Sequence, residues 1–105
     1  MPSADIIKAA LLTCSKNVSH VTAVKKTPPY IVYAEDGQAA AKWSDNRMTH
    51  QKLMGTVDLY TANLDSEPLV DKIQAALNEV CFWRLNSIQY EDDTKLRHWE
   101  WVFEV

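Results

Sequence analysis

Apolar residues recur along this chain with two different periods, and each change of period marks an element. Ile7, Ala10, Leu11 and Cys14 follow one another at helical spacing and give a single apolar stripe. Ser3 stands ahead of them as an N-cap, and Asp5 places negative charge in the first turn, where the helix dipole favours it. The polar run "SKNVSH" ends that helix. Val18 to Val24 alternates weakly and predicts a short strand or an extended lead-in. Pro28-Pro29 forbids helix and keeps the chain extended. Tyr30 to Tyr33 then reads as a strand, which the turn chemistry of Glu35-Asp36-Gly37 is expected to stop.

The next stretch, "QAAAKWSDN" from Gln38 to Asn46, follows neither period and reads as a loop or an irregular strand arm carrying Trp43. From Thr49 to Thr61 alternation returns, with Leu53, Val57 and Leu59 on one face and Met54, Thr56, Asp58 and Tyr60 on the other. Gly55 within that run signals a bulge or the close approach of another backbone. "NLDSEPLVDKIQAALNEV" is the clearest helix. Asp65 or Ser66 caps it, Glu67 sits near its positive end and Pro68 is tolerated in its first turn. Its stripe is Leu69, Ile73, Ala76, Leu77 and Val80, while Asp71, Lys72, Gln74, Asn78 and Glu79 are expected to face water. Two strands close the chain, about Arg84 to Glu91 and Lys95 to Val105, joined by the turn "DDT". Trp99, Trp101, Phe103 and Val105 share one face of the last, and His98, Glu100, Val102 and Glu104 the other.

Helix, strands, helix, two strands is the order of an α+β domain. It implies a mainly antiparallel or mixed sheet with two helices packed on one face. At 105 residues the chain, 1–105, fits a single domain. Folding at this size buries ~60–70% of the surface that the unfolded chain exposes, enough for one core without staples.

Composition narrows the chemistry. A net charge of -3 with dispersed basic residues disfavours nucleic acid and anionic membranes as partners. Cys14 and Cys81 have no spacing that recommends a disulfide, and are expected as two buried thiols in a reducing cytoplasm. The N-terminal residues lack the basic and apolar regions of a signal peptide, and no apolar run approaches a membrane span, so a soluble, unexported chain is expected. Two glycines in all leave no phosphate-cradling loop and no dinucleotide fingerprint. His20, His50 and His98 lie far apart, without metal-ligand spacing. His98 and Glu100 can share a strand face, which reads as a solvated or cross-strand pair. Glu35-Asp36 and Glu91 to Asp93 are the acidic clusters. Paired carboxylates can run acid-base chemistry, but both clusters read as exposed turns. No catalytic, cofactor or metal residue is therefore expected. Trp43, in a polar stretch, reads either as satellite core or as a subunit contact.

Taken in order, "PPYIVYAEDG", Asp45-Asn46, "VDLYTANLDSEPLVDKIQAAL" and the terminal "WEWVFEV" resemble a family of small phage and prophage proteins, the tail terminator or tail-completion (neck) proteins. The likeness spans nearly the whole chain; the departures are "QAAAKW" and "CFWRLNSIQY", so partner specificity carried by loops does not transfer. The resemblance implies a non-enzymatic virion assembly protein with an α/β-type fold. Such proteins form a ring, usually a hexamer, on the head-proximal end of the tail tube. The ring stops tube growth and offers a surface to the head-tail connector protein. Expected partners are thus other copies of the chain, the tail tube protein and the connector, in the host cytoplasm during assembly and then in the virion. DNA would pass through unread, which suits a mildly acidic chain. The resemblance puts Trp43, Asp45, Asn46 and Arg47 against a neighbouring subunit or the tube, with Tyr33 and Glu35 flanking them. Asp45-Asn46 can equally form an Asx-turn into the next strand. Three other readings stay open: a head-completion or connector adaptor of the same phage module, a small carboxylate enzyme, and an immunity- or antitoxin-like binding protein.

Overall fold

The computed structural model describes residues 4–23, 27–44, 47–62 and 68–105, with backbone alone for 37–44 and 47–52. The elements run α1 (Asp5–Leu12), β1 (Val18–His20), β2 (Tyr30–Ser44), β3 (Arg47–Thr61), α2 (Pro68–Asn78), β4 (Phe82–Glu91) and β5 (Leu96–Glu104). The strands form one sheet in the order β1-β2-β3-β5-β4. Three neighbouring pairs are antiparallel, and the short β1 runs parallel to β2. This is the α+β arrangement the periodicity implies, with a mixed sheet.

The core lies where the two periods meet. Ile7 and Leu11 of α1 and Leu69, Ile73 and Leu77 of α2 pack on Ile31, Tyr33, Val57, Leu59, Trp99, Trp101 and Phe103 of the sheet. Each such side chain, when fully buried, contributes about 1.5–3 kcal/mol of transfer free energy. Trp101 is wholly buried, so its indole N–H needs a partner inside. Gln74 of α2 supplies it, accepting the bond at 3.1 Å. The sequence puts Gln74 on the water side of α2. It is half-buried instead, because the helix docks with this residue over Trp101.

Pro68 is the first residue of α2, as a proline must be to spare the helix its missing N–H. The caps expected at Ser3, Asp65 and Ser66, and the charge at Glu67, lie outside the described residues. Ala4 occupies the N-cap position of α1 without a side-chain cap bond. Both cysteines are free thiols and half-buried, and burial pushes Cys81 up to about 11. No described helix is long and apolar enough to cross a membrane.

The expected turn at Glu35-Asp36-Gly37 does not form. Strand β2 continues through it to Ser44, and the pairing with β3 absorbs Asp36 as a bulge between Glu35↔Gly55 and Gly37↔Met54. Local turn propensity loses here to a continuous ladder of cross-strand hydrogen bonds. The Gln38 to Asn46 stretch is therefore strand from Gln38 to Ser44, and irregular: further register shifts fall between Gln38 and Ala41 and between Lys42 and Trp43. Strand β3 pairs with the last strand from Thr61 to Met54, with Leu53 and Val105 exchanging two further backbone hydrogen bonds, whereas β2 and β3 pair as far as Ser44↔Arg47. The outer half of this hairpin thus leaves the sheet as a two-stranded arm, and the molecule measures 52 × 26 × 23 Å.

Gly55 sits where the arm departs. A Cβ there would come within 2.6 Å of Phe103 Cζ and closer still to the carbonyl oxygen of Ala34. The glycine signal in the sequence is a close approach of both a backbone and a ring. Gly55→Ala is expected to destabilise the protein by at least about 2 kcal/mol, because the oxygen it meets belongs to a paired strand that cannot retreat. Urea unfolding checks this as a lowered midpoint with unchanged slope.

Candidate functional site

Two regions of the described surface stand out, the outer strand β4 and the sheet face turned away from the helices. Strand β4 lies at the sheet edge, next to β5. Trp83, Leu85, Ile88 and Tyr90 pair in register with Phe103, Trp101, Trp99 and Arg97, and so point to the helix side. The helices stop short of this margin. Leu85, Ile88 and Tyr90 remain 38%, 53% and 45% exposed, and Phe82 at the strand's start is 71% exposed. Arg97 lays its guanidinium 5.6 Å from the Trp99 ring centroid along the same margin. A long apolar edge strand is a template for another chain, and natural proteins usually blunt such edges.

The opposite face carries the polar alternates of the same strands. Tyr30, Tyr60 and His98 are direct cross-strand neighbours on β2, β3 and β5. Their rings stack in a continuous row, 4.7 Å between the tyrosines and 4.3 Å from Tyr60 to His98. Burial in this row, with Asp58 and Glu91 nearby, pushes the Tyr60 phenol up to about 12. His98 Nε2 donates to Asp58 Oδ1 at 2.6 Å, while Nδ1 faces Glu91 Oε1 at 3.6 Å. The bond to Asp58 raises the His98 pKa, and the Glu91 and Glu100 charges add to it against an opposing effect of burial. Asn86, the extra residue at the β4 irregularity, donates to Glu100 Oε1 at 2.7 Å. Beside this cluster a groove of about 430 Å³ is lined by Val21, Thr22, Tyr30, Tyr60, Asp58 and Glu91, among others.

The residues singled out by sequence scatter across these regions. Tyr33 is buried in the core and stacks on His20. Glu35 is at the surface, where His20 Nε2 donates to it. Trp43 and Arg47 lie on the arm, with Trp43 paired to Met48 and Arg47 to Ser44; their side chains lie outside the described residues, as do Asp45 and Asn46 altogether. Of the acidic clusters, Asp36, Asp92 and Asp93 are exposed, and Glu91 is drawn to His98. His98 and Glu100 do share a strand face. Asp58 is the partner that sequence reasoning leaves out, since it is distant in the chain and only the β3–β5 register brings it opposite Glu100. No protein-family model matches the chain, and comparison with curated proteins finds no match.

The His20–Glu35 pair has a measurable signature. The hydrogen bond from His20 lowers the Glu35 pKa below its ordinary 4.5. With the folded value depressed, the pair's stabilisation is present above the ordinary value and is lost as pH falls through the lower folded one. Carboxyl NMR titration is expected to find Glu35 titrating low in the wild type and returning to the ordinary range in His20→Ala.

Proposed function

We propose that this chain is a structural assembly protein of a tailed phage or prophage, capping the tail tube as a ring and presenting the surface that joins head and tail. The observation that carries the reading is the pairing of two unlike assembly features on one small subunit. One is the β2–β3 arm that leaves the sheet; the other is the exposed apolar edge of β4. A closed ring joins subunits head-to-tail, so each must offer one surface and receive another. An arm that projects and an edge that accepts are surfaces of that kind. The ordered sequence likeness to tail terminator proteins supports the same role. Its partners are then further copies of itself, the tail tube protein and the connector, and the reading includes no catalysis and no base-specific contact with DNA.

The test is assembly. Purified protein mixed with tail tubes is expected to give rings or capped tube ends in electron micrographs and to co-sediment with the tubes. A chain that stays monomeric at all concentrations and ignores tubes would sink the reading; capture of the connector without the tube would move it to the adaptor role. Ile88→Lys places a charge on the exposed edge, at a side chain that is about half exposed. It is expected to reduce ring formation at least tenfold, about 1.4 kcal/mol per interface, with an unchanged circular dichroism spectrum and melting temperature.

A further inference from the structure

Asp58 and Glu100 stand directly opposite each other across β3 and β5, on the face that the helices leave open. Like charges in register on a sheet repel, so this arrangement costs stability unless a cation lies between them. Among the described residues no lysine or arginine pairs with Asp58, Glu100 or the nearby Glu91; Asp58 and Glu91 each pair with His98. Asn86 satisfies one Glu100 oxygen with a neutral donor and leaves its charge in place.

The donors also converge. One ligand atom each of Asp58, His98 and Glu100 lies within 4.8 Å of the others. His98 and Glu100 alternate on one strand and Asp58 comes from the next, so three side chains rise from one patch of rigid sheet. Around a first-row metal at bond lengths of about 2.0–2.2 Å, tetrahedral donors stand roughly 3.4 Å apart. Reaching that spacing means opening the 2.6 Å contact between His98 and Asp58 and closing Glu100 inward. The surrounding groups have the character of an outer shell. His98 turns its second nitrogen toward the Glu91 carboxylate, as metal-bound histidines commonly do, and Asn86 holds Glu100.

We propose that Asp58, His98 and Glu100 bind one divalent transition-metal ion, with Glu91 and Asn86 orienting the ligands. One imidazole and two carboxylates suit zinc, cobalt, nickel or manganese better than magnesium or calcium, which prefer all-oxygen sites. Three protein ligands leave a coordination position for water or for a donor from a partner. The site is independent of the assembly reading above, and stands or falls without it.

Calorimetric titration of the full chain with Zn²⁺ at about pH 8, on the alkaline side where protons compete less for the ligands, is expected to show one equivalent bound. Mg²⁺ is the control and is expected to give no comparable heat. Glu100→Gln and Asp58→Asn each remove one member of the opposed pair while keeping its shape. Both are expected to weaken Zn²⁺ binding at least tenfold and to abolish the rise in melting temperature that Zn²⁺ gives the wild type. Without metal Glu100→Gln is expected to melt no lower than the wild type, since the repulsion is gone, whereas Asp58→Asn also loses the bond to His98 and is judged on Zn²⁺ binding. His20→Ala, at a histidine elsewhere on the sheet, is expected to bind normally. Glu91→Gln is expected to weaken binding about tenfold through the outer shell. Absence of Zn²⁺ binding by the wild type overturns the proposal. So does binding that survives both carboxylate changes, or Co²⁺ spectra with sulfur charge-transfer bands, which would assign the metal to Cys14 or Cys81.

Discussion

The ring of Phe103 lies against Gly55, and much of the architecture depends on that one missing side chain. Strand β3 lies between β2 and β5, and Gly55 is where both neighbours come closest to it. Any larger residue would hold Phe103 off the sheet and press on the Ala34 carbonyl. Phe103 belongs to the same buried row as Trp99 and Trp101, part of the core cluster to which both helices contribute. The contact also sits where β5 ends its pairing and the β2–β3 hairpin continues alone. Core closure and the departure of the arm are thus set at one position, opposite the Asp36 bulge.

The alternation along β3 and β5 divides labour between the two faces. Odd-numbered positions such as Leu59, Trp99 and Trp101 build the core, with Gln74 satisfying the one indole that burial would otherwise orphan. Even-numbered positions build a polar face that no helix covers: the stacked rings of Tyr30, Tyr60 and His98, and the carboxylates around them. A one-residue slip of register would exchange the two sets, burying Asp58 and Glu100 and exposing two tryptophans. That exchange is so costly that the register is fixed wherever the helices cover the sheet. Cluster and core are two results of the same constraint.

The difference between what could be read in the sequence and what could not follows from range. Helices α1 and α2 and the closing hairpin are legible because their signals are local: a periodic stripe, a proline at a helix start, a polar turn between alternating runs. The short β1 is legible only as a weak alternation, since its parallel pairing with β2 covers just Val18 to His20. The arm is legible only as one of two alternatives, a loop or an irregular strand arm, and its bulges explain why. Each extra residue on one strand reverses the face of everything beyond it, so three register shifts in one hairpin erase the alternation by which a strand is recognised. Gln74 and Asp58 escape for a different reason. Their roles depend on residues far away in the chain, Trp101 and Glu100, and nothing local marks them. Tyr33, expected beside an interface, is instead buried, because the alternation that buries Ile31 carries it to the core face as well.

The bulges of the arm have a further consequence for how it can meet other chains. A flat two-stranded ribbon with open edges is a seed for unlimited growth, because each strand it recruits presents a new edge like the first. Each bulge leaves a residue out of the ladder and sharpens the local twist. A ribbon interrupted three times within fifteen-residue strands can match a partner shaped to it but cannot hand the same geometry on to the next. For a two-stranded projection on a small protein, that irregularity is what separates docking from polymerisation.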